Sequence, residues 1–377
     1  MLTKIGFVYS DAFQMYNLGP THPLRPVRLK LTFELMRAIG LLSSPAIQVT
    51  DPRQAEDAEL SLFHEASYMR LVKRMSDSGS GFLDMGDTPA FKGCYEASAL
   101  YTGASLTAVD FVMSRPLTHA MNISGGLHHA HPARASGFCI FNDPAISIAY
   151  LKKKYSLERI LYLDIDAHHG DGVMYGFYSD KSVLDIDFHE DGHHLFPGTG
   201  FTDEIGAGAA SGVKINVPLS PFTGDDAFLK LFKEIVPPAV RNFKPQIILV
   251  QCGADSHVND LLAHLQLTTR SYCEVAEIVH GLAHEVADGR LVIFGGGGYN
   301  PSNVARAWVL IAATLVDFNA PSETPEDWRR LYEAVVGEKA PIKMNSNSEA
   351  NDKAADMALD YGRSVLEDLK RRIPLLR

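Results

Sequence analysis

The segment RILYLDIDAHHGDGV (residues 159–173) begins as an apolar strand and ends in three aspartates and two histidines. Ile160–Ile165 is short and apolar, as expected of a strand covered on both faces. Five other runs share this character: Ile5–Tyr9, Thr118–Ile123, Val183–Phe188, Ile247–Cys252 and Leu291–Phe294. Between them lie longer stretches with helical spacing, namely Arg28–Leu42, Tyr95–Met113, Ala145–Tyr155, Asp225–Phe243, Thr269–Ala287 and Asn303–Val316. Strands alternating with helices predict an α/β fold, a single-domain open, mostly parallel β-sheet with helices on both faces. In such sheets ligands bind beyond the carboxyl ends of the strands.

The unusual residues sit where the strands stop. Thr118–Ile123 runs into Ser-Gly-Gly-Leu-His128-His129, and Ile160–Leu163 into Asp164, Asp166, His168 and Asp171. Ile247–Val250 runs into Gln-Cys-Gly-Ala-Asp255, and Leu291–Phe294 into four glycines and Tyr299. Asp166 and His168 are two apart, so on an extended chain their side chains share a side. With Asp255 they make three protein ligands and leave a position open, the donor count of a hydrolytic zinc site. His128 and His129 offer a base for the water and an acid for the departing amine, and Asp164 and Asp171 are available to orient them. The Tyr299 phenol can donate to a developing oxyanion. A phosphate-binding loop is the competing reading of the glycines, but the final glycine of the dinucleotide pattern and a Walker lysine are both missing.

Composition bounds the partners. The 377 residues are 46% hydrophobic and 21% charged, with a formal charge of −10, which argues against wrapping nucleic acid. No apolar stretch is long enough to span a bilayer, and residues 1–10 lack the features of a signal peptide. Cys94, Cys139, Cys252 and Cys273 are scattered and form no CxxC pair, so they are expected as buried free thiols in a cytoplasmic protein. The polar segment 337–352 is expected as a mobile surface stretch before a last helix, outside a core of about residues 20–316 within one domain of 1–377.

With these residues assembled, the chain resembles the histone deacetylase and acetoin-utilization protein family of the arginase–deacetylase fold. The motifs are SGGLHHAHPARASGFCIFNDPAI (124–146), RILYLDIDAHHGDGV (159–173), LFPGTG (195–200), QCGAD (251–255) and FGGGGYN (294–300). The resemblance implies one catalytic Zn2+ on Asp166, His168 and Asp255. It makes His129, backed by Asp171, the base and then the acid; His128, backed by Asp164, the electrostatic partner; and Tyr299 the oxyanion donor. Phe138 and Phe196 would wall an acyl-lysine channel with Gly137 beside it, Asp87 would stand at the rim, and Arg28 near a cavity beneath the metal. Structural K+ is implied at two sites, one of Asp164, Asp166, His168, Asp187 and Phe188, the other of Phe177, Asp180 and Val183. The substrate would be an acylated lysine in a peptide or protein, or a small N-acetylated amine.

Three departures bear on the substrate. Leu127 replaces a larger residue common in the family, Asp187 replaces a serine, and the acidic stretch from His189 to His194 would attract cations at the rim. Leu262, at a position overhanging the channel mouth, is leucine where polyamine-specific relatives carry glutamate, which favours acyl-lysine. An arginase-like dinuclear site would need a carboxylate where Gly170 stands. A silent acyl-lysine-binding module would not need the base and oxyanion donor.

Overall fold

The computed structural model describes residues 4–114, 118–347 and 352–377. Eight strands form one wholly parallel sheet among these residues. They are β1 (Lys4–Val8), β2 (Ile47–Thr50), β3 (Thr118–Asn122), β4 (Ile160–Asp164), β5 (Val183–Glu190), β6 (Lys214–Leu219), β7 (Ile247–Gln251) and β8 (Leu291–Phe294), in spatial order β2-β1-β3-β8-β7-β4-β5-β6. The helices are α1 (Val27–Ala38), α2 (Asp57–Leu60), α3 (Ala66–Ser78), α4 (Cys94–Met113), α5 (Asp143–Tyr155), α6 (Asp171–Gly176), α7 (Asp225–Phe243), α8 (Thr269–Val286), α9 (Pro301–Leu315), α10 (Glu326–Val336) and α11 (Asp352–Arg372).

The helices fall into two packed groups. One links α1, α9, α8 and α7 side by side, with α8 against β7 and β8; the other joins α3, α4 and α5, with α4 against β1, β3 and β8. The inner strands are therefore covered on both sides, and β3, β4 and β7 are buried at every position. The four strands whose ends carry the chemistry, β3, β8, β7 and β4, are consecutive neighbours in the sheet. Residues far apart in sequence thus meet along one edge.

Two strands are absent from the sequence reading. Both lie at the sheet's edges, where pattern is weak. β2 is only four residues long and partly exposed, and β6 (KINVPL) carries a lysine, an asparagine and a proline. Proline lacks the N–H that an inner strand must donate, but an edge strand tolerates it.

The C-terminal region also differs from expectation. Segment 337–347 is anchored: Met344 is buried, Ser346 and Thr269 exchange hydrogen bonds at 3.0 Å, and the Ser346 hydroxyl lies 2.7 Å from His257 Nε2. The rest of the expected mobile stretch, 348–351, lies outside the described residues. Helix α11 packs on α7 and β6, and the Tyr361 hydroxyl donates to Asp191. The N-terminal residues before 20 contribute β1, an inner strand of the sheet. The four cysteines are free, and all but the half-buried Cys273 are buried.

Candidate active site

Asp166, His168 and Asp255 converge as the strand ends require. His168 Nδ1 lies 3.0 Å from Asp255 Oδ2 and 3.3 Å from Asp166 Oδ1, and one ligand atom from each residue lies within 4.8 Å of the other two. Main-chain N–H groups hold the carboxylates from behind: Gly297 donates to Asp166 Oδ2 at 2.7 Å and Ala167 to Asp255 Oδ1 at 2.9 Å. A Cβ on Gly297 would stand 1.9 Å from Asp255 Oδ2, so glycine is required for the loop to approach. All three residues are buried. Two buried carboxylates facing one imidazole nitrogen match the donor chemistry of a divalent zinc-like ion.

The paired histidines stand beside this set, each on its own aspartate. His128 Nδ1–H donates to Asp164 Oδ2 at 2.8 Å, and His129 Nδ1–H to Asp171 Oδ1 at 2.7 Å. Burial lowers the pKa of both rings, but the outcomes diverge. The charges of Asp164 and Asp166 overcome burial and raise His128 to about 10. Burial and the His128 charge outweigh Asp171 and push His129 down to about 4. The Nε2 atoms of the two rings are 3.1 Å apart. One ring is held as a cation and the other as a neutral base, the division acid–base chemistry needs.

Gly137 and Phe138 form a tight turn. Both have positive φ, 51° and 71°, and the flanking Ser136 and Cys139 exchange main-chain hydrogen bonds, the geometry of a primed hairpin turn. A Cβ on Gly137 would lie 2.5 Å from the His129 ring. The turn sets the Phe138 ring edge-on to Tyr299, centroids 5.8 Å apart, while Phe196 meets His129 at 5.0 Å. Below them a space of about 20 Å³ is lined by residues including Leu127, His128, His129, Phe138, Asp166 and Tyr299, room for about one water molecule.

This arrangement coincides with a family match. The model of the histone deacetylase domain matches residues 22–315. The chain belongs to the histone deacetylase family. Among its relatives, acetoin utilization protein AcuC of Bacillus subtilis is 41% identical over 330 residues, 85% of this chain and 84% of the relative. AcuC of Staphylococcus aureus strain MRSA252 is 41% identical over 349 residues, 90% and 89% of the two chains. Two solved histone deacetylase homologues, one complexed with SAHA and one from Aquifex aeolicus, superpose with TM-scores of 0.82 and 0.81. Each is 28% identical, covering 98% of this chain and all of the other.

The other expected residues of this deacetylase-family chain divide. Asp87 is exposed beside the Phe138 turn, its carbonyl 3.2 Å from His22 Nε2, and the adjacent Thr88 hydroxyl accepts from Phe138 N–H at 3.1 Å. Leu262 is half-buried near Tyr299, because Asp260 accepts main-chain hydrogen bonds from both, at 2.9 and 2.8 Å. Arg28 lies behind the glycine loop: it donates to the Gly298 carbonyl at 3.1 Å and stacks over Trp308, so it braces the loop. The acidic rim requires correction. Glu190 and Asp191 are buried. Glu190 accepts from His264 N–H and Nδ1–H, and Asp191 from His193 and Tyr361. Their charges brace loops rather than face solvent.

Around the first potassium set, Asp164 and Asp187 are register partners on β4 and β5, and both are buried. Asp187 also accepts from His189 Nδ1–H at 2.6 Å and Gly170 N–H at 2.7 Å. The second set is different. Buried Lys214 of β6 donates to the carbonyl of Val183 and approaches that of Asp180 at 3.4 Å. A lysine ammonium thus stands on two of the carbonyls that a cation would use.

Several supporting residues escaped the sequence reading. Buried Asp143 accepts from Gly126 and Leu127 N–H and so fixes the turn that presents the histidines. Gln251 Nε2 donates to the Gly126 carbonyl at 2.7 Å. His131 shares Asp171 with His129, at 3.1 Å. In sequence Asp143 falls just before the expected helix Ala145–Tyr155, and nothing local marks its partners.

Proposed function

We propose that this family member is a zinc-dependent amidohydrolase that removes acetyl or other acyl groups from lysine side chains. The observation that carries this reading is the pair of buried histidines, each bonded through Nδ1 to its own aspartate, beside a two-aspartate, one-histidine ligand set. A divalent ion on Asp166, His168 and Asp255 would acidify a water and polarise the acyl carbonyl. His129 Nε2 takes the proton from the water, with Asp171 holding its ring, and returns it to the departing amine nitrogen. His128 stays positively charged next to the developing negative charge, and the Tyr299 hydroxyl donates to the oxyanion. Phe138 and Phe196 grip the methylene stem, and Asp87 is placed to meet substrate backbone at the rim. The test is a rate panel of acyl-lysine peptides and acetylpolyamines with metal-loaded enzyme. Absence of turnover on the whole panel by enzyme holding stoichiometric zinc would leave a binding module.

Deacetylation of a small N-acetylated amine is the second reading, and Leu262 discriminates between the two. Leucine offers contact to a methylene stem and no partner to a distal ammonium, and with Glu190 and Asp191 already paired the rim supplies little compensating charge. kcat/KM for an acetyl-lysine peptide is therefore expected to exceed that for acetylspermidine, and Leu262→Glu to narrow the gap. Faster hydrolysis of the acetylpolyamine by the unmodified enzyme would reverse the assignment.

For structural cations, we assign a potassium ion to the Asp164–Asp187 set only, because Lys214 supplies the positive charge at the other. Lys214→Ala leaves two carbonyls without their donor, a loss of about 1–3 kcal/mol. Its Tm is expected to recover in part with KCl but not with choline chloride at equal ionic strength. Equal Tm in the two salts would show that no cation replaces the lysine.

A further inference from the structure

A second cluster of ligating side chains lies at the opposite end of the sheet from the active site. His119 is the second residue of β3, and the far end of that strand leads to His128. The strand itself spans about 13 Å at about 3.3 Å per residue. His280 and His284 are four apart on α8, so their rings share one helix face. Ring centroids are 5.0 Å apart for His119 and His280, 5.3 Å for His119 and His284, and 4.6 Å for His280 and His284. One ring nitrogen from each lies within 4.8 Å of the other two.

The hydrogen bonds set the tautomer that ligation needs. His119 is fully buried, and its Nδ1–H donates to the Gly289 carbonyl at 2.9 Å. That leaves the Nε2 lone pair facing the helix, where it accepts from His280 Nδ1–H at 2.8 Å, so His280 keeps its own lone pair on Nε2. Metal-binding imidazoles commonly donate their other N–H to a carbonyl, which fixes the ring and raises its basicity. Burial, helped by His280, pushes His119 down to about 4, and burial and His284 also lower His280. His119 is thus neutral at pH 7, the form of imidazole that binds metal.

We propose that His119, His280 and His284 form a divalent metal site separate from the catalytic one, taking a borderline transition ion such as Zn2+, Ni2+ or Cu2+. Three imidazoles without a carboxylate suit these ions, whereas Mg2+ and Ca2+ require oxygen donors. His284 is exposed, so the ion enters from solvent and keeps a position open to water or buffer. The bound ion clips the C-terminal half of α8 to the start of β3. It touches none of the groups assigned to catalysis.

The experiment uses the full chain without an affinity tag, its catalytic metal already loaded, titrated with Ni2+ by calorimetry and analysed for metal content. The expected result is one further equivalent of Ni2+ in the unmodified protein. It is expected to be lost, or weakened at least about tenfold, in His280→Ala and His284→Ala, with catalytic metal and deacetylation unchanged. His284→Ala alters an exposed residue and keeps the buried His119, so the fold is retained. An unmodified protein that takes up no further Ni2+ overturns the site. So do variants that bind the extra equivalent as tightly as the parent. Because metal content is the readout, the result is independent of which amide the enzyme hydrolyses.

Discussion

Replacement of Asp166 or His168 by alanine is expected to remove both metal retention and turnover while leaving the sheet folded. Each change takes one donor from a three-residue set, and nothing nearby substitutes for it. The closest spare carboxylates are already engaged, Asp164 by His128 and the Tyr162 hydroxyl, and Asp260 by the N–H groups of Leu262 and Tyr299. Asp166→Ala also leaves the Gly297 N–H without its acceptor at 2.7 Å, so the glycine loop should loosen as well. Elemental analysis and a deacetylation assay on the same preparations check both effects. Full zinc occupancy in both variants would sink the ligand assignment, and loss of activity with full zinc would move these residues from ligation to catalysis.

Tyr299→Phe is expected to keep the metal and lower turnover about 10²–10³-fold, the cost of one oxyanion donor in a water-poor site. The ring itself is held by packing, edge-on to Phe138 and His168, so phenylalanine fills the same space and only the hydroxyl is lost. Near-normal turnover would mean that the phenol points away from the reacting carbonyl. His129→Ala should cost at least as much, because His129 is the ring left neutral to accept a proton. His128→Ala removes a positive charge rather than the base, and it also removes the main cause besides burial that holds His129 neutral. If His128→Ala proves far more damaging than His129→Ala, the two roles are exchanged.

Much of this was legible in the sequence because the relevant signals are local. A parallel sheet buried on both faces writes its inner strands as apolar runs, and six of the eight strands were readable for that reason. The aspartate–histidine pair at 166 and 168, the paired histidines after Gly-Gly and the tyrosine after four glycines are all short-range patterns at strand ends. That these ends adjoin, as β3-β8-β7-β4, is a property of strand order that no single segment encodes.

What only the tertiary structure decided is which charges are already satisfied. In sequence, Glu190 and Asp191 read as an acidic rim; in the fold their partners come from His264 and Tyr361, 74 and 170 residues away, and the rim is spent. Lys214 lies in an edge strand that the sequence pattern did not reveal, and β5–β6 pairing places its ammonium on the carbonyls of Val183, at the start of β5, and Asp180, just before it. His119 and the α8 histidines are unremarkable in their own segments and meet only because α8 returns to the amino ends of the strands. Hydrophobic pattern is periodic along the chain and can be read one element at a time. Charge and ligand satisfaction depend on long-range pairs, so the amino-acid sequence determined the sheet and its reactive edge, and packing determined which polar groups remain available to act.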